Sequence, residues 1–452
     1  MSLIIFIPGI ICWAAILQGG TRRAFVSVYL VVLLFLPDMF SVRLPHLPPL
    51  SFEDTTLLSL GIGMVLLDLS RWRFSRMDCW VAWFICTSAY CERIPWGTNG
   101  AFMVLITTIL ECGVPYMAGK LLVERPGMRV ETVRRIAVLM AIAALFAMPQ
   151  FFLKTNPYIY FWSHFFPGQW RNPATRGGFG RVDGPYEGGE TAGMVLLIGL
   201  LLALWLQHCK TKSLGTIGYL DRPLKYGRAI ILILVTTLYM TQSRGPWMGT
   251  VIAGMIASIG RAKNTLRQAI LVFGLGLVVG IPLYSMGKDY ISGPTAQIGS
   301  EQQTAQYRKA LIDNFVPIAK MGGAWGWGNS FPHPGGQESV DNEYLLVWLL
   351  QGYVGLTALI LIFVEGIVSF VRAGIKARSF QERYFILTLF GILLGLAACV
   401  STVWLADQAY EIFFLIIGWS QALNSVDTGN QQQYDDKVTH ELPRPDSVLV
   451  FT

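Results

Sequence analysis

Three arginines and one short acidic run carry most of the chemistry that this chain's residue types suggest. Arg244 stands in Ser243-Arg244-Gly245-Pro246 and Arg181 in Gly180-Arg181-Val182-Asp183-Gly184-Pro185. Arg308 lies on a stretch whose apolar residues Ala310, Leu311, Phe315 and Ile318 recur at helical spacing, opened by Ser300 and Gln303 in the pattern of a capping box. Guanidinium suits phosphate because its planar fork donates paired, charge-assisted hydrogen bonds. Gathered at one point, the three would hold a diphosphate. The acidic run is Val340-Asp341-Asn342-Glu343-Tyr344-Leu345, at the start of a long apolar stretch. Asp341 or Asn342 there would cap a helix, and a cap can also be a base. A helix N-terminus bordered by arginines also suits a diphosphate. His333 and Glu338, just upstream, are placed to share proton transfer, and Ser243 could cap a helix beginning near Pro246. Arg176, in an aromatic and Arg-rich stretch, adds a further candidate for substrate contact.

Each residue also has a plainer explanation. Arg244 could snorkel to lipid headgroups, and Arg181 could pair with Asp183 or Glu187. Arg308 could be solvated on a polar helix face, while His333 and Glu338 could be ordinary loop residues.

The elements that must position these residues are membrane helices. The chain is 452 residues long, 53% hydrophobic and only 14% charged, whereas soluble domains are about 25% charged. Apolar runs long enough to approach the roughly 20 residues that cross about 30 Å of hydrocarbon recur along nearly its whole length. The spans fall near 3–18, 24–40, 55–70, 78–91, 100–119, 136–152, 190–207, 229–242, 246–260, 268–285, 343–370, 384–404 and 409–423. The reading is an all-α integral membrane protein with 12 or 13 transmembrane helices. The first span is short and contains Pro8-Gly9, so it could be re-entrant; thirteen spans would put the N-terminus outside. It has no basic segment ahead of it and no small-residue cleavage site, which suits a retained helix.

Orientation follows from basic residues. Of 35 Lys and Arg, 24 fall in one set of loops and the C-terminal tail, leaving 11 for the other side. The richer side is therefore cytoplasmic. On this arrangement residues 1–152 and 190–285 form the N-terminal and central helices, and 343–423 the C-terminal ones. Residues 153–189 and 286–342 form two long extracytoplasmic loops, and 424–452 a polar, disordered cytoplasmic tail. Long loops in a compact membrane protein are usually functional. Arg244 lies 16 residues beyond Arg228, about 24 Å up a helix. That depth is short of a full crossing, and an arginine there faces a cavity or an anionic partner by default.

Other chemistries find little support. Net charge is +7, but apolar spans interrupt the basic residues, so no nucleic-acid stripe forms. The seven cysteines lie mostly in apolar spans without a CxxC pair, which excludes a disulfide framework or zinc ribbon. No Walker, DxD, GxSxG or SxxK motif is present, nor a His/Cys metal cluster. Chemistry without metal, cofactor or soluble nucleotide donor is expected. The intramembrane acids Glu111, Glu365 and Glu411 keep a transporter or flippase of lipid-linked solutes in view.

The ordered motifs resemble those of the O-antigen ligase and O-antigen or exopolysaccharide polymerase family of polytopic membrane glycosyltransferases. That family's outer-loop signature is His-Asn, two residues, Leu, six residues, Gly. Here Asp341-Asn342, Leu345 and Gly352 stand at the same spacing, with Asp341 in place of the catalytic His. Thr241 to Gly245 is similar to the family's Ser-Arg-Gly element, and Arg181 to Pro185 to its Arg-x-x-Gly element. Arg308 followed by Gly326-Trp327-Gly328 resembles its run from an Arg to a Gly-x-Gly. The resemblance implies a glycan donor on undecaprenyl diphosphate, a glycan acceptor, and partner proteins of polysaccharide assembly. It also implies a site facing the periplasm or exterior of a bacterial inner membrane. Arginines would hold the diphosphate, and Asp341 would deprotonate the acceptor hydroxyl. The Asp341 substitution points to a polymerase of repeat units; a ligase to lipid A-core or to protein would share the site chemistry.

Overall fold

The computed structural model describes residues 2–169, 174–208, 226–276, 278, 300–334 and 339–425. Helix dominates, as expected for an all-α membrane protein. The first elements are α1 (Ile7–Ala24), a π turn, α2 (Leu30–Phe35), α3 (Phe52–Leu67), α4 (Arg76–Thr108), a second π turn and α5 (Val114–Leu121). Then come α6 (Met128–Ala147), the short α7 (Pro149–Leu153) and α8 (Pro157–Ser163), α9 (Gly189–His208), α10 (Gly227–Met240) and α11 (Arg244–Arg261). The apolar α12 (Thr265–Gly276) follows, with α13 (Ser300–Met321), α14 (Glu343–Lys376), α15 (Phe380–Val400) and α16 (Asp407–Ser425) closing the order. Among the described residues the strands are a two-residue pair, Thr175–Arg176 against Phe179–Gly180. The rest of the expected 268–285 span and the 424–452 tail lie almost wholly outside the described residues.

By length and composition, six continuous helical stretches among the described residues could cross a membrane. Three of them are too long to cross once: Glu343–Lys376, with 34 residues, and two nearer the N-terminus. Leu3–Phe35 has 33 residues and Arg76–Leu121 has 46, and the second would extend about 69 Å if straight. Both turn back on themselves at a glycine, Gly20 (φ 73°) or Gly97 (φ 66°). In the second, Asp78 accepts from Lys120 Nζ at 2.6 Å, and Ile85 lies beside Gly113, so the arms run antiparallel.

The first hairpin shows how the first span packs. Thr55 Oγ1 donates to the Ile5 carbonyl (2.9 Å), Ser59 Oγ to Gly9 (3.0 Å), and Thr21 Oγ1 to Asp68 (2.5 Å). Helix α1 therefore runs its full length beside α3 in the same direction. Pro8 sits in its first turn, where a missing N–H costs nothing, and neither Pro8 nor Gly9 breaks it. The break falls at Gly20 instead.

One end of the bundle gathers the arginine-rich connections. Arg22 donates to the Pro126 carbonyl (2.9 Å), Arg125 pairs with Asp68 (2.5 Å), and Arg73 donates to the Ser425 carbonyl (3.3 Å). The candidate residues lie at the opposite end. Between the two, α11 packs antiparallel on α15 through small residues: a Cβ on Gly391 would fall 2.5 Å from the Ala253 carbonyl. Close backbone approach of this kind is how membrane helices associate without a hydrophobic driving force.

Helix α14 differs from the simple span expected over 343–370. It bends sharply at Gly352, which has φ 62°. The Tyr344 ring lies 5.9 Å from that of Phe363, so residues 343–351 form an arm that folds back along the longer run from 353. The tip is clamped by the preceding loop: Trp327 N donates to Leu349 O (2.9 Å), and Val354 N to Ala324 O (3.0 Å). A Cβ at residue 352 would fall 2.3 Å from the Ala324 carbonyl. Gly352→Ala should therefore lose at least about 1–2 kcal/mol from the left-handed backbone alone, with the overlap adding more. Gly254→Ala, where a Cβ meets nothing within 4 Å, is the control. Thermal unfolding in detergent checks this, and equal melting of the two variants would contradict it.

Candidate functional site

The site is assembled from the chain between residues 174 and 190, the α10–α11 turn, α13 and the start of α14. The α10–α11 turn is short, and Gln242 takes a left-handed backbone (φ 52°) within it, an uncommon state for a non-glycine residue that concentrates at functional sites. The turn presents its carbonyls to two arginines. Arg176 donates to Gln242 O at 2.7 Å and Arg181 Nε to Thr241 O at 3.2 Å. Arg181 Nη2 also donates to Ser243 Oγ (2.7 Å) and forms an ion pair with Glu190. One guanidinium thereby ties the turn to the first residues of α9.

Several expectations are corrected here. Ser243 occupies the N-cap position of α11, but its hydroxyl makes no cap; it receives Arg181 and donates to the Thr241 carbonyl. The acid that pairs with Arg181 is Glu190, farther along the chain than Asp183 or Glu187. Asp183 is buried and held by the amides of Asn156 (2.7 Å) and Gln150. Gln150 also donates to the Arg181 carbonyl at 2.8 Å, so this cluster fixes the backbone that carries Arg181.

At the start of α14 the cap is Asn342 alone: its Oδ1 accepts from Leu345 N at 3.0 Å, and its Nδ2 donates to the Ser401 carbonyl at 2.8 Å. Asp341 is left outside the capping role. Its carboxylate accepts from Ser339 Oγ at 3.1 Å and attracts Arg308. Arg308 and Asp341 line one cavity of about 160 Å³ together with Glu187, Glu190, Thr191 and Trp404. Arg308 is half-buried there.

Arg244 is the first residue of α11 and is exposed. Its charge is felt by both Arg176 and Arg308. Burial, and then the positive charges of Arg181, Arg244 and Arg308, lowers the Arg176 pKa. Burial also lowers that of Arg308, with Asp341 opposing and Arg244 adding to the effect. Glu190 opposes the effect at both Arg176 and Arg308, so the arginines and this carboxylate lie within reach of one another's charge.

His333 is not among the cavity residues. Its ring packs on Phe331 (4.5 Å between centroids) and edge-on to Phe315 (6.4 Å). Glu338 lies outside the described residues. Glu190 and Trp404 were missed at the level of sequence. Glu190 reads there as an ordinary acid in the first turn of a helix, where the dipole favours it; Trp404 carries no motif. Among the described residues, no group of three or more His, Cys, Asp or Glu side chains is placed to hold a metal ion.

Residues 229–360 match the family model described as O-antigen ligase. The chain carries an O-antigen ligase family domain. That domain contains Ser243, Arg244, Arg308, Asp341 and Asn342, so the resemblance drawn from those motifs is borne out; Arg176 and Arg181 lie before it. The match supports glycosyl transfer of the O-antigen ligase and polymerase kind by a multi-pass membrane enzyme. Comparison with curated proteins gives no match.

Proposed function

We propose that the protein moves a glycan from an undecaprenyl-diphosphate carrier to a sugar hydroxyl on the extracytoplasmic side, lengthening O-antigen or exopolysaccharide one repeat unit at a time. The observation that carries this reading is the cavity shared by Arg308 and Asp341, with Arg176, Arg181 and Arg244 close around it. The acceptor oxygen bonds to the anomeric carbon of the donor as the bond from that carbon to the diphosphate breaks. The acceptor proton passes to the Asp341 carboxylate. The diphosphate, still on its lipid, leaves with the bonding electron pair. Charge therefore grows on the diphosphate in the transition state, where preorganised guanidiniums are most effective. A transporter would need a polar site near the midplane; the clustering of these arginines at one end of the bundle favours transfer.

The reading requires that end to face outward. Ser330 is exposed beside it, and Ser70 is exposed at the arginine-rich end. In a background without native cysteines, Ser330→Cys should react with a membrane-impermeant maleimide in intact spheroplasts, and Ser70→Cys only after lysis. The reverse pattern would sink the orientation, and sugar transfer with it. Purified protein given a lipid-diphosphate-linked repeat unit should yield a product ladder on gels. Intact donor after long incubation would reject the reaction.

A further inference from the structure

A second cavity, of about 240 Å³, lies between the α4 hairpin and the short arm of α14. Its lining differs in kind from the arginine-bordered one. Glu92, Glu111 and Glu343 bring three carboxylates, Phe84, Tyr410 and Trp404 bring aromatic faces, and among the described residues no Lys or Arg lines it. Trp404 lines both cavities, and Glu343 is two residues from Asp341.

The polar groups here are positioned yet incompletely used. Glu92 accepts from the backbone N–H of Asn329 (3.2 Å) and Glu343 from that of Leu405 (2.8 Å). Each bond engages one oxygen and leaves the other to accept from a ligand. Gln351, only 7% exposed, lines the same cavity, and its Oε1 has no hydrogen-bond partner. An unpaired buried acceptor is costly, and its presence calls for an explanation. A ligand rich in hydroxyl groups supplies the missing donors to Gln351 and to both glutamates, while aromatic faces cover its apolar side. A diphosphate would be repelled. A shared metal ion is disfavoured because the three carboxylates are not placed to hold one.

We infer that this cavity seats the acceptor sugar, across Trp404 from the donor's diphosphate. The inference rests on the glycosyl-transfer reading and adds to it a separate, uncharged-sugar site. Donor and acceptor then reach Asp341 from different sides, with the hydroxyl to be deprotonated presented at the Trp404 partition.

The test uses the full chain in lipid nanodiscs. Methyl glycosides of glucose, galactose, mannose, rhamnose and N-acetylglucosamine are titrated by saturation-transfer NMR, and undecaprenyl diphosphate by thermal shift. At least one glycoside should bind. Glu92→Gln and Gln351→Leu should each weaken it about tenfold, as expected when a buried hydrogen bond is lost. Both variants should keep the thermal shift given by undecaprenyl diphosphate, which also shows that they are folded. Gln351→Leu removes an unpaired polar atom, so it should fold even if Glu92→Gln does not. Failure of every glycoside to bind, or binding unchanged in both variants, overturns the acceptor cavity. Sugar binding without any effect of undecaprenyl diphosphate on wild type would overturn the donor reading and keep the cavity.

Discussion

Asp341→Asn is expected to lower glycosyl transfer by about 100- to 10,000-fold, the usual cost of losing a general base, with the fold intact. The second half of that statement follows from the cap geometry. Asn342, not Asp341, accepts from Leu345 N and anchors to the Ser401 carbonyl. Among the described residues, Asp341 uses its carboxylate for the Ser339 hydroxyl and the nearby Arg308 charge. An asparagine carbonyl can still accept from Ser339, so the stability change should stay well under the roughly 1 kcal/mol of a lost cap. Asp341→Leu should fail equally, and Asp341→His, which restores a titratable base, should recover part of the activity near neutral pH. Product ladders and initial rates at matched protein level measure all three. Near-normal product from Asp341→Asn would remove Asp341 from the base role. The ring of His333 is packed on Phe331, so the burden would then shift to Glu338 or to transfer without a protein base.

Much of the architecture was legible because membranes impose a simple code. Apolar runs near the hydrocarbon thickness must be helical, since no water is available to satisfy a broken backbone. The amphipathic spacing around Leu311 and Phe315 marked α13 for the same reason of periodicity. What the code does not carry is the behaviour of the chain at span ends. Gly97 and Gly352 look alike as single glycines in apolar or mixed sequence, Gly20 follows another glycine, and many glycines here lie in ordinary helix. Only the contacts of Ala324 and Trp327 with the arm tip show that Gly352 reverses a helix. The Pro8-Gly9 pair misled in the opposite sense: a proline in the first turn begins a helix as readily as it ends one.

At the site, residue type was more informative than pairing. Arg308 and Asp341 stood out by chemistry and share a cavity. The partner of Arg181 did not stand out, because Asp183 and Glu187 are nearer in sequence than Glu190. The structure spends Asp183 on Gln150 and Asn156, two amides remote enough that no spacing rule links them. The second cavity was invisible for a similar reason: Glu92 belongs to the α4 hairpin and Glu343 and Gln351 to the short arm of α14, which only tertiary packing brings together.

Arg244→Lys should lower transfer by about 100- to 1,000-fold, the range seen when one preorganised donor to a developing anion is removed. Lysine preserves the charge, so long-range attraction of the lipid diphosphate should largely survive. What is lost is the planar fork that engages two phosphate oxygens at once. The defect should therefore fall mainly on kcat, since the interaction strengthens as charge builds on the leaving diphosphate. Position supports this division. Arg244 begins α11, where the helix dipole already favours an anion, and its field reaches Arg176 and Arg308. Arg372 is the matched control: it lies on α14 toward the arginine-rich end, 3.7 Å from Glu365, and its side chain is largely exposed. Exposed ion pairs contribute about 0–1 kcal/mol, so Arg372→Lys should leave the rate within a few-fold of wild type. Steady-state rates with varied lipid-linked donor, in nanodiscs at equal protein, separate the two variants. Near-normal kcat in Arg244→Lys would show that charge alone suffices there and would remove Arg244 from the diphosphate clamp.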